Sequence, residues 1–204
     1  PMDSPAKPAL AFCFPGQGTQ YVGMGRCLYD RYPVFRQTVD EVHHLARDHF
    51  GLDLVGHLYG SEDETLSSRE LSTLAGVQTS VFAVELATAR VLEQLGVVPD
   101  VLIGHSFGEF AALTFSGAWD LPSGYAAVIA RIEAAERSLS FGDLGMMSLI
   151  CDASQRELLL SLAGPGVELT NINAPTQAIL AGPRVELERT QAMAEAAGAD
   201  ARIL

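Results

Sequence analysis

Apolar positions along the chain recur with two periods, and the switch between them marks out the elements. Ala9 to Phe14 is a short apolar run that predicts a strand, closed by the turn-forming Pro15-Gly-Gln-Gly-Thr-Gln20. Pro33 opens a predicted helix running to Phe50. Phe35, Val39, Val42, Leu45 and Phe50 fall on a helical period there, and Gly51 ends it. Ser61 to Glu70 is polar and reads as a loop. A second long helix is predicted over Leu74 to Leu95, with Val77, Val81, Val84 and Val91 on its apolar side and Gly96 as its stop. Val97 to Ile103 is a continuous apolar run, read as a buried strand. Glu109 to Phe115 follows as a helix packed by Phe110, Ala111 and Leu113. After a loop at Trp119 to Ser123, a third helix is predicted from about Ser123 to Arg137.

From Phe141 the pattern shortens. Met146 to Cys151 is strand-like and Ser154 to Ala163 helix-like. Val167 to Ile172 and Gln177 to Ala181 read as two strands joined through Asn173-Ala-Pro-Thr176. Val185 to Ala197 is helical, and Ala201 to Leu204 a last short strand. The order β-α-β-β-α-β is that of a ferredoxin-like lobe. The expected fold class is therefore α/β. A main part over residues 1–140 carries a parallel sheet, and a small ferredoxin-like lobe covers residues 141–204. No internal repeat is present.

Composition narrows the class of function. The formal net charge is −12, with no basic patch, which argues against a nucleic acid or an anionic membrane as partner. The three cysteines, Cys13, Cys27 and Cys151, are scattered and have no C-x-x-C spacing, so neither a zinc site nor a disulfide framework is indicated. No apolar run reaches membrane-spanning length and no secretory signal is read, so a cytoplasmic, reducing setting is expected. Pro1 to Lys7 reads as a linker remnant.

The densest chemistry lies at Gly104-His-Ser-Phe-Gly108, between the predicted strand and helix. Strand, tight turn and helix are the context required of a G-x-S-x-G nucleophile elbow. A serine at the tip of such a turn is exposed beside a helix N-terminus, where negative charge is favoured. Gly104 and Gly108 keep side chains out of the crowded turn. The competing reading is a glycine-rich turn with an incidental serine. The loop Pro15 to Gly25 matches neither G-x-G-x-x-G nor a lysine-bearing phosphate loop. Asp40, His44 and Asp48 align on one helix face, which reads either as a metal site or as a solvated polar face. Arg131 reads either as a surface arginine or as part of a site.

Phe14-Pro-Gly-Gln-Gly-Thr-Gln20, Gln78, Gly104-His-Ser-Phe-Gly-Glu109, Arg131 twenty-five residues after the serine, and Asn171-Ile-Asn-Ala-Pro-Thr-Gln177 occur in that order. Together they resemble the malonyl-CoA:acyl-carrier-protein acyltransferase family, which includes the acyltransferase domains of modular polyketide synthases. The resemblance runs from about Ala9 to Leu204. It implies an α/β-hydrolase-like main part. It implies Ser106 as the nucleophile acylated by an acyl-CoA, and the backbone N–H groups of Gln17 and Phe107 as the oxyanion hole. Arg131 would receive the free carboxylate of a malonyl-type substrate, and Gln78, His105 and Asn173 would line the cleft. The implied reaction is ping-pong, from coenzyme A thioester to serine ester to the phosphopantetheine thiol of an acyl carrier protein. Malonyl-CoA or methylmalonyl-CoA is the implied substrate. No bound cofactor or metal is implied, and neighbouring synthase domains are implied partners. Phe107, Ile132 and Thr79 depart from the family's usual aliphatic or glutamine, glycine and proline, which bears on substrate choice. The family's catalytic histidine lies beyond Leu204, with the remainder of the main part, so residues 1–204 alone are expected to be inactive and marginally stable. Two alternatives remain at this point: a serine hydrolase or thioesterase using the same elbow, and a catalytically silent fragment.

Overall fold

The computed structural model describes residues 9–60, 64–139 and 143–204. The chain forms two compact units, 1–134 and 135–204, and the division falls inside a helix. The linker expected at Pro1 to Lys7 lies outside the described residues, as do Ser61 and Phe141.

The first unit is built on a parallel pair of strands. β1 (Ala11–Phe14) pairs with β2 (Val101–Gly104) in the register Ala11 to Val101 through Phe14 to Gly104. Among the described residues six α-helices belong to it: α1 (Arg26–Arg31), α2 (Pro33–Phe50), α3 (Glu64–Glu70), α4 (Leu74–Gln94), α5 (Gly108–Phe115) and most of α6 (Leu121–Leu139). α2 starts with Pro33 in its first turn, where the missing N–H has no intrahelical partner to lose. It stops at Gly51, whose φ of 69° lets its N–H reach back to the carbonyl of Arg47. Phe35, Val39, Val42 and Ala46 are fully buried at helical spacing. α4 packs against α2 and α5 and is buried along most of its length. Thr73 caps it, its hydroxyl accepting the N–H of Gly76 at 3.0 Å.

The second unit is a four-stranded antiparallel sheet in the order β4-β5-β3-β6, made of β3 (Leu144–Ile150), β4 (Glu168–Ala174), β5 (Gln177–Pro183) and β6 (Asp200–Ile203). Two helices, α7 (Ala153–Leu162) and α8 (Arg184–Ala196), contribute Leu159, Leu187 and Ala194 to a core shared with Met147, Leu149, Leu180 and Ala201. Along the chain the order is β-α-β-β-α-β.

Three local expectations change. α3 occupies part of the expected polar loop, and the short α1 and a π-helical turn at Gly56–Gly60 were not expected at all. α1 has no buried residue, so no apolar period announces it. β2 begins only at Val101, because Gly96 to Pro99 form the exit from α4. Leu113, expected to pack α5, is 40% exposed, while Ala111 and Ala112 carry that face inward. Among the described residues no helix is long and apolar enough to cross a membrane.

Candidate active site

The site is organised by the junction between β2 and α5. Ser106 has φ of 53° and is the one described non-glycine residue with positive φ. Left-handed backbone is uncommon for a residue with a Cβ and typically costs about 1–3 kcal/mol. Its surroundings impose it. The N–H of His105 donates to the carbonyl of Phe14 at 2.9 Å, tying the turn to the end of β1. Three residues on, the N–H of Gly108 returns to the carbonyl of His105 at 3.0 Å. A side chain at Gly104 would overlap the backbone of Glu109, and one at Gly108 the carbonyl oxygens of Phe14 and Pro15. The turn thus runs in close contact with its own helix and with β1. Ser106 and His105 are exposed at its tip.

α5 starts without a side-chain cap at Phe107. Among the described residues the N–H of Phe107 donates no hydrogen bond, and neither does that of Gln17 in the loop after β1. That loop is close to the serine: a Cβ on Gly16 would lie 3.3 Å from the carbonyl oxygen of His105 and 3.6 Å from Cβ of Ser106. Free N–H groups beside an exposed serine form a place where a developing oxyanion can be held.

Gln78 and Arg131 come to the same unit from α4 and α6. Gln78 is fully buried, and its Nε2 donates to Oε1 of Gln17 at 3.2 Å. Its own Oε1 is buried without a partner. Arg131 is half-buried, not a surface arginine. Its Nη1 is buried with no hydrogen-bond partner, and its guanidinium carbon sits 5.4 Å from the centroid of the Phe107 ring. Burial pushes its pKa down from the usual arginine value, yet an arginine stays charged in a protein. Asn173 belongs to the second unit, where it is exposed on β4.

The departures at Thr79 and Ile132 have structural explanations. The Thr79 hydroxyl is 2.9 Å from the phenol oxygen of Tyr125, a buried pair joining α4 to α6. A proline at residue 79 would leave that phenol without this partner. Ile132 is fully buried on the same face of α6 as Tyr125 and Val128.

Sequence reasoning passed over Glu85. Both of its carboxylate oxygens are buried and unpartnered, and burial pushes its pKa up to about 8. It lines a cavity of about 370 Å³ between β1 and α4, together with Phe12, Phe14, Val81, Val84 and Leu92. Ser106, Gln78 and Arg131 are not among that cavity's walls. The acid was hidden because an isolated Glu on an apolar helix has no motif. Asp40, aligned with His44 and Asp48 in the sequence, accepts a hydrogen bond from the Tyr29 hydroxyl at 2.7 Å instead. Among the described residues no three metal-ligating side chains group together.

Comparison with known proteins shows the family. The family model for the acyl transferase domain matches residues 11–203. Norsolorinic acid synthase of Dothistroma septosporum is 32% identical over 175 residues, 86% of this chain and 7% of that synthase. The acyltransferase domain from the second module of the salinomycin polyketide synthase superposes with a TM-score of 0.82 at 34% identity, over 97% of this chain and 44% of that one. A malonyl-transacylase solved with its type II polyketide-synthase acyl-carrier protein superposes with a TM-score of 0.82 at 30% identity, over 97% of this chain and 62% of that one. The chain therefore spans less than two thirds of the length of each of these relatives. With the family model matched over nearly its whole length, the chain belongs to the acyl transferase domain family.

Proposed function

We propose that this chain moves a malonyl-type acyl group from coenzyme A, through an ester on Ser106, to the phosphopantetheine thiol of an acyl carrier protein in polyketide or fatty-acid synthesis. The observation that carries the reading is the left-handed, exposed Ser106 at an uncapped helix start. The Ser106 hydroxyl attacks the thioester carbonyl. The N–H groups of Gln17 and Phe107 hold the resulting oxyanion, the C–S bond breaks, and the coenzyme A thiol leaves with the proton. The carrier thiol then reverses the sequence at the ester. Arg131 receives the free carboxylate, as its unpartnered Nη1 supports. Gln78 and His105 line the cleft, and Gln78 steadies the loop through Gln17; the family resemblance alone assigns Asn173 a lining role. The proton acceptor for Ser106 is taken, by the family resemblance, to be a histidine beyond Leu204, in the remainder of the main part.

The same reading covers architecture and setting. The main part, residues 1–140, is α/β-hydrolase-like, and residues 141–204 are a ferredoxin-like lobe, which the strand order β4-β5-β3-β6 supports. The substrate is a coenzyme A thioester, malonyl-CoA or methylmalonyl-CoA, with no bound cofactor. The partners are the carrier protein and neighbouring synthase domains, and the compartment is the cytoplasm.

The test is incubation of the full-length enzyme with malonyl-CoA, followed by intact-mass and peptide mapping. A malonyl ester on Ser106 that passes to a carrier thiol is expected. Release of free malonate without transfer would mean a hydrolase, and an ester on another residue would remove Ser106. Arg131→Ala is expected to lower the malonyl-to-acetyl ratio of transfer about ten- to hundred-fold, the value of a hydrogen bond to a charged group.

A further inference from the structure

A threonine inside a helix often turns its hydroxyl back along the helix. Thr38, Thr88, Thr114 and Thr190 do so here, each donating to the carbonyl four residues earlier. Thr79 departs from them. Its buried hydroxyl reaches across from α4 to the phenol oxygen of Tyr125 on α6, at 2.9 Å. Tyr125 is fully buried too, and burial pushes its pKa up to about 12, so the pair is two neutral hydroxyls. The packing around them is apolar. The Tyr125 ring meets that of Phe82 at 5.9 Å, and Val128 and Ile132 are buried along the same side of α6. Apolar contact is non-directional and tolerates small slides of one helix on another. A buried hydrogen bond does not, because a slide would leave two hydroxyls desolvated and unpaired.

The two helices tied in this way carry the two ends of the candidate site. Gln78, the residue before Thr79, holds the side chain of Gln17 at 3.2 Å, and the Gln17 N–H is assigned to the thioester oxygen. Arg131, six residues after Tyr125, is assigned to the free carboxylate. A malonyl-type group carries its carbonyl and its carboxylate one carbon apart, so it reaches both anchors at one separation only. An acetyl group reaches the first and has nothing for the second. We propose that Thr79 and Tyr125 are positioning residues for dicarboxylic acyl groups: their hydroxyl pair sets the register of α4 against α6, and with it the separation between the Gln17 N–H and Arg131. Both act through their neighbours, Thr79 through Gln78 and Tyr125 through its own helix. The inference rests on the assignment of Gln17 to the oxyanion and of Arg131 to the carboxylate.

The experiment measures kcat/KM for malonyl-CoA and acetyl-CoA in the full-length enzyme, with thermal melting alongside. The variants are Thr79→Val, Tyr125→Phe, the two together, Thr79→Ser and Arg131→Ala. Each of Thr79→Val and Tyr125→Phe leaves one buried hydroxyl without its partner and lowers the melting temperature. The double variant removes both hydroxyls and recovers most of that loss. The malonyl-to-acetyl ratio follows a different course. It is expected to fall about five- to fifty-fold in both single variants and to stay as low in the double variant, within the roughly hundredfold that a misplacement of about 1 Å can cost. Thr79→Ser keeps the hydroxyl and keeps the ratio. A ratio that recovers with the melting temperature in the double variant makes the pair a matter of stability alone and overturns the proposal. So does a serine variant as low as the valine one, or a ratio unmoved by Thr79→Val and Tyr125→Phe while Arg131→Ala collapses it. If Arg131→Ala itself leaves the ratio unchanged, the assignment of Arg131 fails, and the proposal with it.

Discussion

At the start of α7, Asp152 accepts the N–H of Gln155 at 2.8 Å, the Gln155 side chain accepts the N–H of Asp152 at 3.3 Å, and the Ser154 hydroxyl closes on the same carboxylate at 2.6 Å. At the start of α5 no side chain caps the helix, and the residue before Phe107 is held at positive φ. Both helices follow a strand, and both leave N–H groups that need partners. In α7 the capping box satisfies them. In α5 the N–H groups of Gly108, Glu109 and Phe110 turn back to the carbonyls of His105, Ser106 and Phe107, and among the described residues that of Phe107 stays open. The contrast extends to side chains: Gln78, Glu85 and Arg131 all carry buried atoms without partners, and all lie in the first unit, together with Ser67. Among the described residues the second unit has no such atom. An unpartnered buried group is costly unless something else binds it. The first unit is thus arranged around groups held ready, and the second around groups already paired.

The comparison breaks most sharply at the open junction. Ser106→Ala removes one exposed hydroxyl and no packing, so the melting temperature is expected to stay within the equivalent of about 0.5 kcal/mol. Acylation by malonyl-CoA is expected to fall about 10³-fold or more. Melting curves and intact mass on the same preparation check both.

Glu85 separates a group held for a partner from one that is merely strained. Its folded pKa of about 8 exceeds the ordinary carboxyl value, so the folded state holds an extra proton between the two. Stability is full below about pH 4.5 and declines as pH rises toward 8, because the unfolded chain ionises freely there. Glu85→Gln mimics the protonated form. It should match the parent near pH 5 and exceed it by about 2–4 kcal/mol above pH 8. A pH series of thermal melts reads this directly, and parallel curves for the two proteins would place the Glu85 carboxyl in water.

The smallest effect belongs to the closed junction. Asp152→Ala opens the capping box and should lower the melting temperature by about 2–4 °C near neutral pH, with the malonyl-to-acetyl ratio unchanged. Hydrogen bonds from the Ser154 hydroxyl and the Gln155 N–H hold the Asp152 pKa below its usual value. The cap's contribution is therefore present above about pH 4 and is lost as pH falls through that lowered value. At pH values well below it parent and variant should melt together.

How much of this was legible in the sequence depended on the physics behind each feature. The long helices were legible because burial forces a period on Phe35, Val39, Val42 and Ala46 and a glycine stop at Gly51. The strand-turn-helix setting of Ser106 was legible because only glycine fits at residues 104 and 108 against neighbouring backbone. α1 left no trace, since a six-residue helix with nothing buried needs no apolar period. Leu113 misled because hydrophobicity was read without direction, and α5 turns its alanines inward. The Phe107 ring over Arg131 and the Thr79 pair with Tyr125 join residues 24 and 46 positions apart, a proximity that only the fold creates.

The left-handed turn at Ser106 also limits what evolution can substitute there. A second heavy atom on Cβ crowds a backbone that already strains to hold one side chain at positive φ. Threonine, a nucleophile elsewhere, carries that second atom. Cysteine does not, and presents its sulfur along the same path as the serine oxygen. The geometry of one dihedral angle thus leaves the lineage a thiol as its neighbouring nucleophile and closes the route to a secondary alcohol.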